Sequence, residues 1–320
     1  MIERHYLVLG LRLMVTADDP GVGAAVDHRL RAWRTEPAPE AVLRLEFRTE
    51  ELKPAADVER TGAHRPVYDT PDGQVVYWPD QDAVDADFGQ VQMRGDVGAG
   101  VVRISSSAFE GRDRYLAAHP MTMIALTELL RRRGLYPVHA GCVAQGTRGA
   151  MFAGPSGSGK STLTLALVQA GFQFLSDDLV FLRESDGPGR VLGFPDAVGV
   201  TAATVARFGE LSALHERPPE PGWRKHVIRV EEHFSVTVTP SCAPVALIFP
   251  EIGPGESRLE PLDPGEGWLR LVPDVLLTEP AAAQAHLKSL AALSEQVDSY
   301  RLRSGPDLSH SVALVSELLA

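Results

Sequence analysis

The residues best suited to chemistry form one stretch, Gly154-Pro155-Ser156-Gly157-Ser158-Gly159-Lys160-Ser161, with Thr162 next. This is a complete G-x-x-x-x-G-K-S pattern in the setting it needs, a strand before and a helix after. Ala150-Met151-Phe152-Ala153 reads as the strand, and Lys160 to Ala170 reads as a helix closed by Gly171. Small residues let successive backbone N–H groups curl around phosphate oxygens, and the helix N-terminus adds its dipole. Lys160 then neutralises the outer phosphates of a nucleoside triphosphate, and the Ser161 hydroxyl ligates Mg²⁺. ATP and Mg²⁺ are the cofactors this predicts, held by residues 154–162. An ABC transporter ATPase is excluded: no Leu-Ser-Gly-Gly-Gln-like signature and no strand ending in Asp-Glu follows.

A second candidate is the pair Asp177-Asp178, one helix and one short strand beyond the lysine. In an open α/β sheet the carboxyl end of that strand can lie beside the phosphate loop. One carboxylate there can hold Mg²⁺ while the other accepts the proton of an attacking hydroxyl. A plain turn or helix cap is the competing reading, but the apolar run Leu179 to Leu182 follows at once, so no helix starts there to be capped. His139 lies in the strand-like segment before the loop, Tyr136-Pro137-Val138-His139-Ala140-Gly141. Taken alone, it reads as a satisfied core histidine.

The elements around these residues alternate. Strands are predicted at 138–144, 150–153, 172–175, 179–182, 227–230, 236–239, 244–249 and 300–303, with helices at 265–272, 281–297 and 308–319. A helix over 120–133 has Pro120 in its first turn, Arg131-Arg132-Arg133 at the negative end of its dipole and Gly134 as its stop. This mixed order predicts an α/β nucleotide-binding domain over 113–320. Residues 1–112 read as a smaller β-rich domain. Strands are expected at 5–15, 41–48 and 101–105, a helix at 20–33, a hairpin around Asp72-Gly73, and a loop over 81–100.

The chain has 320 residues, is 44% hydrophobic and carries a net charge of −11. It can bury a substantial core, and its acidity argues against nucleic acid or an anionic membrane as partner. The basic clusters Arg131-Arg132-Arg133 and Arg224-Lys225-His226 are short. Cys142 and Cys242 fit no metal spacing and read as reduced core residues. No signal-peptide pattern opens the chain and no run approaches ~18 apolar residues. The reading is a cytoplasmic protein, compatible with a homo-oligomer.

Taken together, His139, the phosphate loop and the Asp177-Asp178 pair resemble the catalytic half of the HPr serine kinase/phosphorylase family. Its C-terminal domain is a P-loop fold related to phosphoenolpyruvate carboxykinase. The similarity is greatest to the HPr-kinase-related branch, which includes peptide-serine kinases of lasso-peptide gene clusters. The tail Tyr300-Arg301-Leu302-Arg303-Ser304-Gly305-Pro306-Asp307-Leu308 also looks like that branch. The resemblance covers about residues 115–320. It implies an ATP- and Mg²⁺-dependent kinase acting on a hydroxyl, most often Ser, of a peptide or small protein such as a biosynthetic precursor peptide. The alternatives are a small-molecule hydroxyl kinase and a nucleotide-dependent regulatory protein. Carried over by position, Lys160 and Ser161 bind phosphate and Mg²⁺, Asp177 is the general base, Asp178 is the metal-side carboxylate, and His139 orients or charges Asp177. The β-rich domain helps to recognise the acceptor. The Glu/Arg-containing signature of the bifunctional enzymes has no alignable counterpart: Val191 to Asp196 stand in its place. Their basic loop is matched only loosely at Arg224-Lys225-His226. Phosphorolysis, and HPr itself as acceptor, are therefore not implied.

Overall fold

The computed structural model describes all residues except 38–41, 53–59, 61, 71, 184, 186–188, 220–224 and 276–277. The chain is a mixed α/β protein with two compact units, Met1–Gly134 with Leu276–Ala283, and Leu135–Val275 with Gln284–Ala320.

The strands of the first unit are β1 (Ile2–Val8), β2 (Leu11–Ala17), β3 (Arg34–Thr35), β4 (Leu43–Thr49), β5 (Arg65–Thr70), β6 (Gly73–Trp78), β7 (Ala83–Asp87), β8 (Val91–Asp96) and β9 (Val101–Ser106). They form a nine-stranded sheet in the order β3-β1-β2-β4-β9-β8-β7-β6-β5. Only β4 runs parallel to its neighbours, β2 and β9. Helix α1 (Pro20–Leu30) links β2 towards β3, with the Asp19 side chain accepting from Val22 N at 2.8 Å as its cap.

The run 5–15 is two strands, because Leu9 and Gly10 take φ of +48° and +86° and reverse the chain. Residues 81–100 contain the hairpin β7–β8, not a loop. Asp85 within it is buried, pairs with Arg60 at 2.9 Å and accepts from Gly95 N, so its charge does not mark solvent. The helix expected from Pro120 begins earlier, as α2 (Gly111–Leu116), and continues through a π turn (Ala117–Met121) into α3 (Thr122–Arg131). Pro120 has no N–H to give, and the wide turn accommodates it while the Thr122 hydroxyl donates to Ala117 O at 2.7 Å. These helices, placed by the sequence reading in the P-loop domain, lie in the first unit. Arg131 and Arg132 do not act as solvated helix-end charges. Arg131 is buried against Glu128 at 2.7 Å, and Arg132 reaches Asp82 at 2.7 Å and Glu128 at 3.0 Å.

The second unit has β10 (Leu135–Val138), β11 (Ala140–Gln145), β12 (Arg148–Ala153), α4 (Lys160–Gln169), β13 (Gln173–Ser176), β14 (Val180–Arg183), β15 (Val191–Gly193) and β16 (Val198–Val200). There follow α5 (Ala202–Val205), β17 (His226–Ile228), α6 (Val230–His233), β18 (Ser241–Ile252), β19 (Arg258–Leu262), α7 (Pro264–Leu271), α8 (Pro280–Gln296, most of it in this unit), β20 (Asp298–Ser304) and α9 (Leu308–Leu319). The expected strand at 236–239 is an extended segment bridging to Phe174 through Val238 rather than a ladder.

Strand β12 lies between β11, antiparallel, and β18, parallel. Beyond β11 comes β13, antiparallel to it, and beyond β18 comes β20, parallel. The carboxyl ends of β12, β13, β18 and β20 and the amino end of β11 therefore share one edge. Both faces of this sheet are covered. Phe152, Ile248 and Leu302 pack with Leu165 of α4 and Val315 of α9, whereas Met151 and Leu247 pack with Leu290 and Leu293 of α8. This explains why the strands read as continuous apolar runs rather than alternating ones. Cys142 and Cys242 are buried free thiols with Sγ atoms 3.6 Å apart. Among the described residues, no helix is long and apolar enough to cross a membrane.

Candidate functional site

The site grows out of the shared edge. Strand β12 ends at Ala153, and the chain then takes φ of +139° at Gly154, +85° at Gly157 and +102° at Gly159 before α4 begins at Lys160. Side chains are disfavoured in that region of φ, which is why these positions must be glycine. Lys160 is largely buried, and its Nζ donates to Gly154 O at 2.5 Å and Pro155 O at 3.3 Å. The ammonium thus bridges two carbonyls of its own loop. Pro155 and Ser156 are exposed. The Ser158 hydroxyl is buried without a hydrogen-bond partner. Thr162 turns away towards α5, its hydroxyl 3.0 Å from that of Thr204, which in turn meets Thr201.

Asp177 follows β13, and the order β13-β11-β12 carries it to the loop. Ser161 Oγ donates to Asp177 Oδ2 at 2.8 Å. The other oxygen, Oδ1, is buried and unpartnered. The close approach is built into β11: a Cβ at Gly141 would stand 2.9 Å from Asp177 O and from Thr164 Oγ1. Burial pushes the Asp177 carboxyl up to about 7; the neighbouring Asp178 charge adds to this, while the Ser161 hydrogen bond and the charges of Lys160 and Lys225 oppose it. Asp178, the next residue, faces the other way and is 73% exposed. Its Oδ1 lies 3.3 Å from Nδ1 of His139, which sits at the break between β10 and β11. His139 therefore pairs with Asp178, not with Asp177 as the resemblance implied. Arg224 lies outside the described residues; Lys225 leads into β17.

The buried, unpaired Asp177 oxygen next to the Ser161 hydroxyl fits a hard cation. Among the described residues no group of three or more His, Cys, Asp or Glu could hold a metal ion. Mg²⁺ brought with phosphates needs no such group, because it keeps waters and takes one or two protein oxygens. Ser161 and Asp177 are the residues that would hold it.

The loops after β18 and β20 open on the same edge; neither carries a chemical role from sequence, although the second lies in the tail 300–308 that shares the resemblance. Their turn signals, Gly253-Pro254-Gly255 and Gly305-Pro306, were visible. What could not be seen was that β18 lies beside β12 and β20 beside β18.

No family model matches the chain, and no curated protein matches it. Among solved structures, the Hpr(Ser) kinase/phosphatase from Coxiella burnetii aligns at 15% identity, over 57% of this chain and 92% of that chain, with a TM-score of 0.30.

Proposed function

We propose that this chain is an ATP- and Mg²⁺-dependent kinase that phosphorylates a hydroxyl, Ser by preference, of a peptide or small protein. The observation that carries the reading is the convergence of the glycine loop, Lys160 and the Ser161–Asp177 pair, with Asp178, next to Asp177 after β13, paired with His139 at the start of β11. A protein that only bound nucleotide would have no use for a second, solvent-facing carboxylate paired with an imidazole. The first unit is proposed to help recognise the acceptor, since every residue given a chemical role lies in the second.

In this reading the roles of the two aspartates are exchanged relative to the resemblance. Asp177 shares its hydrogen bond with the hydroxyl expected on the metal, so it is the metal-side carboxylate. Asp178 is exposed and steadied by His139, so it can meet an incoming hydroxyl. The acceptor oxygen forms a bond to the γ-phosphorus while the bond to ADP breaks, and the acceptor proton passes to Asp178. Lys160 leaves its loop carbonyls to balance phosphate charge, and the loop N–H groups hold the phosphates in line. Bound Mg²⁺ supplies charge neutralisation on the phosphate oxygens. One observation favours the opposite assignment: a carboxyl titrating at about 7 is well matched to a general base.

ATP consumption with a panel of Ser-containing peptides, with the products read by mass spectrometry for added phosphate, tests the proposal. Phosphorylated peptide that depends on Lys160 supports it. ATP that binds without being consumed, whatever peptide or metabolite is offered, leaves a nucleotide-binding regulator. Phosphate appearing only on a small alcohol makes the chain a metabolite kinase.

A further inference from the structure

The second unit contains a cavity of about 580 Å³ at the ends of β18 and β20, lined by residues that include Gly253, Gly255, Ser257, Arg258, Arg303 and Gly305. Its volume is within the range of small-molecule sites. The two loops that form it are fastened together. Gly253 N donates to Ser304 O at 3.0 Å, and Gly305 N donates to Ser257 Oγ at 3.0 Å. The buried Ser311 hydroxyl of α9 joins those of Ser257, at 2.8 Å, and Ser304, at 2.9 Å. A Cβ at Gly305 would fall 2.0 Å from Gly255 O, so the loops lie back to back. The walls are thus formed before any ligand arrives. Glu260 Oε1 holds both Arg258, at 2.9 Å, and Arg303, at 3.0 Å. Both arginines remain partly exposed, and planar guanidinium groups stack on flat rings.

One residue adjoins both this cavity and the phosphate loop. Ile252 ends β18 next to Gly253, is 71% exposed, and its Cγ1 lies 3.4 Å from where a Cβ of Gly159 would stand. Phosphoryl transfer is in line, so the leaving diphosphate must lie opposite the attacking hydroxyl. The acceptor side is set by Asp178 and His139, on the β11 and β13 side of β12. This orientation directs the β-phosphate across β12, towards β18 and β20.

We propose that the cavity between the loops 253–258 and 303–305 takes the nucleoside of the bound triphosphate, with the base against Ile252 and the two arginines. This rests on the phosphate loop holding the triphosphate, and the test separates the two. Gly253 is suited to it, because a Cβ there meets no atom within 4 Å. A larger side chain would fill the cavity rather than strain the fold.

The experiment is calorimetric titration of the full chain with Mg·ATP and with Mg·tripolyphosphate, on wild type, Gly253→Leu, Ile252→Asn and Lys160→Ala, each checked for native circular dichroism. Wild type should bind ATP more tightly than tripolyphosphate. Gly253→Leu should weaken ATP at least about tenfold and leave tripolyphosphate within about twofold, with Ile252→Asn a milder version. Lys160→Ala should lose both ligands. Gly253→Leu binding ATP as wild type does, or losing both ligands equally, removes the nucleoside site and leaves the phosphate loop standing. A wild type that prefers neither ligand also removes it. Lys160→Ala retaining both ligands, or a wild type binding neither, overturns the phosphate-loop reading and this inference with it.

Discussion

Asp177→Asn should make the free protein more stable at alkaline pH while weakening its hold on Mg·ATP. In the folded chain burial pushes this carboxyl up to about 7 from its ordinary value of 3.8. Here the folded pKa is raised, so the folded state holds the proton more tightly than the unfolded state does. Stability is therefore lost as pH rises from about 4 to about 7 and levels off above. The full penalty on ionising the buried group is on the order of 4 kcal/mol, of which about 2–3 kcal/mol develops between pH 5 and pH 8. Asparagine has the same shape and no charge at either pH. Its amide can still accept from Ser161, and the other end is left as a buried group without a partner, which costs about 1–3 kcal/mol at both pH values. That constant cost cancels when the two pH values are compared. Urea unfolding followed by fluorescence, in EDTA and without nucleotide, should show the variant gaining about 2–3 kcal/mol on wild type between pH 5 and pH 8. With Mg·ATP present, the stabilisation seen for wild type should shrink in the variant. A difference between variant and wild type that does not change with pH would refute the reasoning, because Asp177 would then not be a desolvated carboxyl.

Lys160→Ala should fold normally, since the side chain is held by carbonyls of its own loop, and calorimetry should show ATP affinity nearly abolished. Asp178→Asn and His139→Ala should each slow transfer, about 10²–10⁴-fold for the lost base, at an unchanged Mg²⁺ requirement. The double variant should be little worse than Asp178→Asn, because residues acting as a unit are non-additive; transfer kinetics over a Mg²⁺ titration check both points. Gly141→Val should destabilise the second unit by about 1–3 kcal/mol, because its Cβ would meet Asp177 O at 2.9 Å. Thermal unfolding and the Mg²⁺ requirement should worsen together, as the displaced segment carries Asp177.

The strand–glycine loop–helix conformation at 150–169 was legible because everything it needs is contiguous: the strand, three glycines, the lysine and the helix follow one another, and local chemistry dictates the shape. The mixed α/β character of the second unit and the bounds of α4, α7, α8 and α9 were readable for the same reason, from runs of apolar residues and turn signals. Where a charge is buried by a distant partner, local reading fails. Asp85 looked like loop because Arg60, which compensates it, is 25 positions away in the chain. Pro120 looked like a helix start because nothing nearby announces a π turn.

The arrangement of the site was decided only in three dimensions. Asp177 and Asp178 follow β13 and turn different ways, but sequence cannot say which one meets Ser161. That follows from β13 pairing with β11 rather than with β12, a non-local choice made by packing both faces of the sheet. The same ordering gives His139 to Asp178, and brings the ends of β18 and β20 beside the phosphate loop, although almost a hundred residues or more separate them from it in the chain. Residue types fixed which chemistry is available, because charge, hydroxyl and glycine have local meanings. Strand order fixed who stands next to whom, because hydrogen-bonded neighbours in a sheet are chosen by the whole core.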